Sequence, residues 1–228
     1  MGDLVTFASN GDTAEGYLAI PQGGSGPGVV VIQEWWGLMP HIKDVCERLA
    51  GQGFVALAPD LYRGETASEP DGAMRLLMGL AMDRAAKDIA GAAAYLKGRD
   101  EVTGEGIGCV GFCMGGSLAL WSGTISDDIV ATVGFYPAVP WEKMSPSWAN
   151  YAGKAAILHT SEEDGGPEAP GIVTAREAIE AAGGTVTVYG YPGTKHAFYN
   201  DSRPEVYDED AATLARERTL ALFRERLG

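Results

Sequence analysis

The residues best placed to do chemistry are Gly111-Phe112-Cys113-Met114-Gly115-Gly116. An apolar run, Gly106-Ile107-Gly108-Cys109-Val110, leads into them, and a helix-compatible run, Ser117-Leu118-Ala119-Leu120-Trp121, leads out. A nucleophile held between a strand and a helix, with glycine on either side, has the pattern of a nucleophile elbow. The turn is tight and strained, and a Cβ flanking the nucleophile would strike the neighbouring strand or helix. Such a turn lifts the central side chain clear and aims the next backbone N–H at the same point. With cysteine at the centre, the expected chemistry is acyl transfer through a thioester.

A thiol with a pKa of about 8.5 is only slightly ionised at neutral pH and needs a base. Candidate partners stand directly after other apolar runs. Ala155 to Thr160 is followed by Ser161-Glu162-Glu163-Asp164, and Thr185 to Tyr191 by Pro192-Gly193-Thr194-Lys195-His196. His196 would take or share the thiol proton and later protonate the leaving group. Asp164 would hold the imidazole tautomer and stabilise the imidazolium. Glu162 and Glu163 stand beside Asp164, so pattern alone leaves the choice of acid open. The order nucleophile, acid, histidine is that of the α/β-hydrolases.

The elements that must position these groups alternate between strand and helix. Gly28 to Gln33 and Phe54 to Ala58 are continuous apolar runs, the mark of strands buried on both faces. The elbow strand follows, then Ile129 to Tyr136, Ala155 to Thr160 and Thr185 to Tyr191. Helices are expected over His41 to Gly51, Ala73 to Leu96 (joined or kinked near Gly79), Pro170 to Ala182 and Glu209 to Leu227. Gly64 to Gly72 reads as surface loop, and Leu4 to Ile20 as antiparallel edge strands. The sum is one α/β domain with a mostly parallel sheet and helices on both faces. Sites in such sheets lie at the carboxyl ends of the strands.

Other candidates divide into structural and functional. Cys46 and Cys109 read as core thiols, His159 as a core histidine, His41 as a surface or interface residue, and Asp60 as a loop cap. Glu34, directly after a buried run and before Trp35 and Trp36, reads as a second carboxylate near the thiol. The backbone N–H groups of Trp35 and Met114 are then candidates for an oxyanion hole.

A chain of 228 residues with 46% hydrophobic and 21% charged residues is ordinary for one globular domain. Its net charge of −14 disfavours nucleic acid or an anionic membrane as partner. No apolar run reaches membrane-spanning length, and Met1-Gly2-Asp3-Leu4 does not open a signal peptide. Three irregularly spaced cysteines form neither a disulfide framework nor a zinc pattern and fit a reducing cytoplasm. No glycine-rich dinucleotide fingerprint follows the first buried strand.

Taken together, Gln33-Glu34-Trp35-Trp36-Gly37, Ala58-Pro59-Asp60-Leu61-Tyr62, the elbow, Asp164 and Lys195-His196-Ala197-Phe198 resemble the dienelactone hydrolase family (carboxymethylenebutenolidases). The resemblance spans nearly the whole chain and implies the α/β-hydrolase fold. It also implies a Cys113-His196-Asp164 triad, no metal or organic cofactor, and Glu34 paired with the thiol at rest and displaced when substrate binds. The implied substrate is a small ester or lactone, and the implied assembly a monomer or small homo-oligomer. Two arginines that hold a substrate carboxylate in well-known members are replaced here by Asn200 and Pro70. Arg75 and Arg84 are out of register, and Arg63 and Arg203 are the candidates to compensate. Trp36, Tyr62, Tyr136 and Phe198 are expected to line a more apolar, aromatic pocket. The competing expectation is a non-catalytic domain of this fold that binds a small ligand or protein.

Overall fold

The computed structural model describes residues 2–9 and 11–228; Met1, and Asn10 within the expected edge-strand segment, lie outside the described residues. Two strands, β1 (Asp3–Ser9) and β2 (Asp12–Ala19), open the chain as an antiparallel pair, and β2 pairs antiparallel with β4 (Val55–Pro59). From β4 onward the sheet is parallel, through β3 (Gly26–Ile32), β5 (Val102–Phe112), β6 (Ile129–Phe135), β7 (Ala155–Ser161) and β8 (Thr185–Tyr191). The order across the sheet is β1-β2-β4-β3-β5-β6-β7-β8.

The continuous apolar runs are explained by burial of both sheet faces. In β3, Val30 and Ile32 point into one core, and Val29 and Val31 into the other. The first core is closed by α3 (Met82–Lys97), α4 (Met114–Ile125) and α5 (Pro170–Ala181), the second by α1 (Pro40–Gly51) and α6 (Glu209–Leu227). Alternation with period two delivers each face its own side chains. Helix α4 is buried along Met114 to Thr124, as a helix at the centre of such a stack must be. No helix among the described residues is long and apolar enough to cross a membrane.

The expected break near Gly79 is a full separation: α2 (Pro70–Gly79) and α3 are distinct helices. Pro70 occupies the first turn of α2, where its missing N–H is harmless, so the helix begins inside the stretch expected to be loop. The remaining loop is pinned, because Ala67 N–H donates to Trp36 O at 2.9 Å. Asp60 accepts from the N–H groups of Tyr62 (3.0 Å) and Gly64 (2.7 Å) and so caps the turn after β4. His41 departs from the sequence reading. It is buried, not superficial, because the first turn of α1 packs its ring edge-on to Phe112 and Tyr199.

Candidate active site

Cys113 joins β5 to α4 with φ 56° and ψ −117°, a backbone region that an L-residue adopts only when its surroundings enforce it. The surroundings are visible in the glycines. A Cβ on Gly111 would overlap Gly115 O, and one on Gly115 would overlap the Ile32 and Gln33 carbonyls. One on Gly116 would lie 2.5 Å from Phe135 O. The elbow is also tied to the loop after β6. Cys113 N–H donates to Phe135 O (3.0 Å), and Ala138 N–H donates to Cys113 O (3.3 Å). Between these two anchors Tyr136 is itself left-handed, at φ 38°.

His196 stands in the loop after β8, and its Nδ1–H donates to Asp164 Oδ2 at 2.8 Å. The loop after β7 holds the histidine and its loop with three adjacent acids. Asp164 takes the ring and is steadied by the Ser161 hydroxyl. Glu163 Oε2 accepts the backbone N–H of His196 at 2.7 Å, and the Glu162 carboxylate accepts that of Gly193. The Glu163 N–H in turn donates to Thr194 O at 3.2 Å. The three adjacent carboxylates thus have three separate partners, and only Asp164 reaches the imidazole. The roles of Glu162 and Glu163 carry no sequence signal, since their partners are main-chain groups.

Burial works against the His196 imidazolium, but the Asp164 hydrogen bond, and hydrogen bonding and charge from Cys113, raise its pKa to about 10. Burial likewise opposes Asp164 ionisation, yet hydrogen bonds from His196 and Ser161 leave its pKa below the ordinary carboxylate value. A carboxylate bonded to an imidazole that shares a cavity with a thiol is the arrangement for generating a thiolate and later delivering a proton.

Glu34 is almost wholly buried after β3. Its Oε2 accepts from Asn200 Nδ2 at 3.1 Å, while Oε1 has no hydrogen-bond partner among the described residues. Burial raises its pKa, offset in part by the His196 charge, the Asn200 hydrogen bond and the Arg203 charge. Asn200, expected from the family resemblance to replace an arginine, is therefore committed to Glu34. Of the two compensating candidates, Arg63 is occupied elsewhere, holding the buried Asp88 with two 3.0 Å bonds and Thr13 O at 2.7 Å. Arg203 borders the Cys113 cavity of about 330 Å³, together with Trp35, Leu77, Met114, Val139 and His196. Leu77 reaches this cavity from α2, an element without any chemical signature in the sequence.

The expected pocket aromatics are spread out. Trp36 lines a neighbouring cavity with Glu34, and Tyr136 lines another with Asp164. The Tyr62 hydroxyl donates to Met114 Sδ at 3.3 Å. Phe198 is fully buried, packed against Tyr136 at 5.5 Å and Tyr191 at 4.9 Å between ring centroids, so it backs the site from within the core.

A sequence model of the dienelactone hydrolase family matches residues 14–227. The chain is 36% identical to protein usf of Aquifex pyrophilus, with both chains covered completely. It is 31% identical, again over the whole of both chains, to an Aquifex aeolicus protein provisionally named a carboxymethylenebutenolidase. Among solved structures, a provisionally named dienelactone hydrolase from Klebsiella pneumoniae superposes with a TM-score of 0.84 at 25% identity. That match covers 99% of this chain and 98% of the other.

Proposed function

This chain belongs to the dienelactone hydrolase family, as a hydrolase of small esters or lactones, and we propose that it works through Cys113 as nucleophile with a thioester intermediate. The observation that carries this reading is the strained Cys113 elbow facing an imidazole whose Nδ1–H rests on Asp164 at 2.8 Å. The thiolate attacks the substrate carbonyl carbon, and the carbonyl electron pair moves onto oxygen. The N–H groups of Trp35 and Met114 receive that oxyanion, a role supported by their positions in the turn after β3 and at the start of α4. As the intermediate collapses, the C–O bond breaks and the imidazolium of His196 protonates the departing alkoxide. In a lactone that alcohol stays attached to the acyl group. Water then attacks the thioester while His196 takes its proton, and the carboxylic acid leaves as the thiolate is restored.

Glu34 controls the thiol in this reading. Its buried carboxyl follows β3, the strand paired with the elbow strand β5, and its oxygen without a partner among the described residues can exchange a proton or a hydrogen bond with the sulfur. The three free cysteines fit a reducing compartment such as the cytoplasm.

The test is steady-state hydrolysis of a dienelactone, a neutral lactone and short nitrophenyl esters by wild type and Cys113→Ala. Loss of all turnover in Cys113→Ala is expected. Full activity in that variant on every ester the wild type cleaves would overturn the thiol mechanism.

A further inference from the structure

Around Cys113 and His196 the thiol cavity is walled by Trp35, Leu77, Met114, Ala138 and Val139, all apolar. Arg203 is the remaining side chain on its border. That side chain is 37% exposed and donates from Nε to Glu205 at 2.9 Å, so its charge is partly solvated and already has a partner. A group that enters the cavity therefore gains chiefly by burying apolar surface. At about 330 Å³ the cavity is at the small end for a ligand site, which limits that group to a short one.

Three of the walls are tied to the elbow and its helix. Ala138 N–H donates to Cys113 O at 3.3 Å, and Val139 N–H donates to the Ser117 hydroxyl at 2.9 Å. The Tyr62 hydroxyl donates to Met114 Sδ at 3.3 Å. Leu77 has a different origin. It comes from α2, which buries only Ala73 and Leu76. Leu76 enters the first core, while Leu77, about 100° further round the helix, is partly buried at the edge of that core and reaches the cavity. Met74 and Met78 of the same helix are exposed. Leu77 is thus a wall of the cavity whose size can change without opening the elbow. In the thioester the acyl group hangs from the Cys113 sulfur, so the acyl chain, not the departing alcohol, is the part this cavity retains.

We propose that this cavity is an acyl pocket for an uncharged, apolar chain, and that Leu77 determines the chain length it accepts. The inference rests on the Cys113 hydrolase reading and names the substrate class for it, esters of short apolar carboxylic acids.

The experiment measures kcat/KM on nitrophenyl acetate, butyrate, hexanoate and octanoate, with the nitrophenyl monoester of adipic acid as the anionic counterpart of the hexanoate. Wild type, Cys113→Ala, Leu77→Ala and Leu77→Phe are compared. Each methylene the pocket buries should raise kcat/KM about fourfold, so wild type should favour butyrate over acetate about fifteenfold. Octanoate should fall below butyrate, because the chain outruns the wall. Leu77→Ala removes about three carbons of that wall and should move the optimum about two to three carbons longer, with acetate within threefold of wild type. Leu77→Phe should move the optimum towards acetate. A wild-type profile that is flat from acetate to hexanoate overturns the acyl pocket, and this comparison needs no variant to fold. The wild-type optimum retained in both Leu77 variants, with acetate turnover intact, overturns the role of Leu77. Preference for the adipate monoester over hexanoate overturns the substrate class and assigns recognition to Arg203. Acetate turnover that survives in Cys113→Ala overturns the nucleophile on which the inference rests. Failure to turn over any of the esters overturns both.

Discussion

Replacing Asp164 by Asn isolates the charge that faces His196. The amide keeps an oxygen for the Nδ1–H bond, and the Ser161 hydroxyl can still steady it, so the geometry survives while the negative charge is lost. With charge centres about 4 Å apart and an effective dielectric near 20, the attraction is about 4 kcal/mol. The side chains are 29% and 34% exposed, so solvent screening reduces this to about 2 kcal/mol. Exchanging a charge-assisted hydrogen bond for a neutral one adds about 1 kcal/mol. The total of about 3 kcal/mol corresponds to a loss of about 10²-fold in kcat/KM. The pH dependence should move as well. His196 is held at about 10 against an ordinary 6.5, so the imidazolium that protonates the leaving group is lost only as pH rises through about 10. In Asp164→Asn that alkaline limb moves to lower pH. The assay is kcat/KM on a nitrophenyl ester between pH 6 and 10.5, with Glu162→Gln as a control that keeps a loop acceptor. Activity within threefold of wild type, with the alkaline limb unmoved, would refute the assignment of Asp164 as the partner of the imidazolium.

The same shift bears on stability. A pKa raised by folding stabilises fully below about pH 6.5 and loses its effect as pH rises through about 10. Urea midpoints should therefore fall over that window in wild type and fall less in His196→Gln. Glu163→Ala removes the acceptor for the His196 N–H and should lower kcat about tenfold with little change in KM; Glu163→Gln should restore most of it, measured on the same ester. Gly116→Ala forces a Cβ to 2.5 Å from Phe135 O and should cost about 2–4 kcal/mol in chemical denaturation. Asp88→Ala leaves the buried Ser9 hydroxyl without its acceptor, while the part-exposed Arg63 keeps Thr13 O, and should cost about 1–2 kcal/mol. It is read by thermal melting against Arg63→Ala, which strands the buried Asp88 carboxylate and should cost about 3 kcal/mol. An Asp88→Ala protein as stable as wild type would show that this cluster contributes nothing to joining α3 to β1 and the loop after β4.

Much of this protein is written locally. The elbow is legible because its demands fall on neighbours in sequence: an apolar strand, glycines where any Cβ would overlap a carbonyl, and a helix start. The doubly buried strands are legible because burial of both faces leaves an unbroken apolar run, as in Val29 to Ile32. From these follow the sheet, its direction, and the placing of Glu34, Cys113, Asp164 and His196 at strand ends.

What remained for the tertiary structure are relations between segments distant in sequence, and no periodicity reports them. Ser161 to Asp164 offers three carboxylates in a row, and only the path of the loop after β8 determines that Asp164 meets a ring nitrogen while Glu162 and Glu163 meet backbone N–H groups. Arg63 and Arg203 look alike as spare cations until the buried Asp88 on α3 claims the first and leaves the second at the thiol cavity. His41 has the surroundings of a surface helix start in the sequence, yet the aromatic side chains of Phe112 and Tyr199 close over it. Local patterns fix conformation because they act through the backbone of adjacent residues. Partner choice is fixed only when the chain folds back and burial makes an unpaired charge or donor costly.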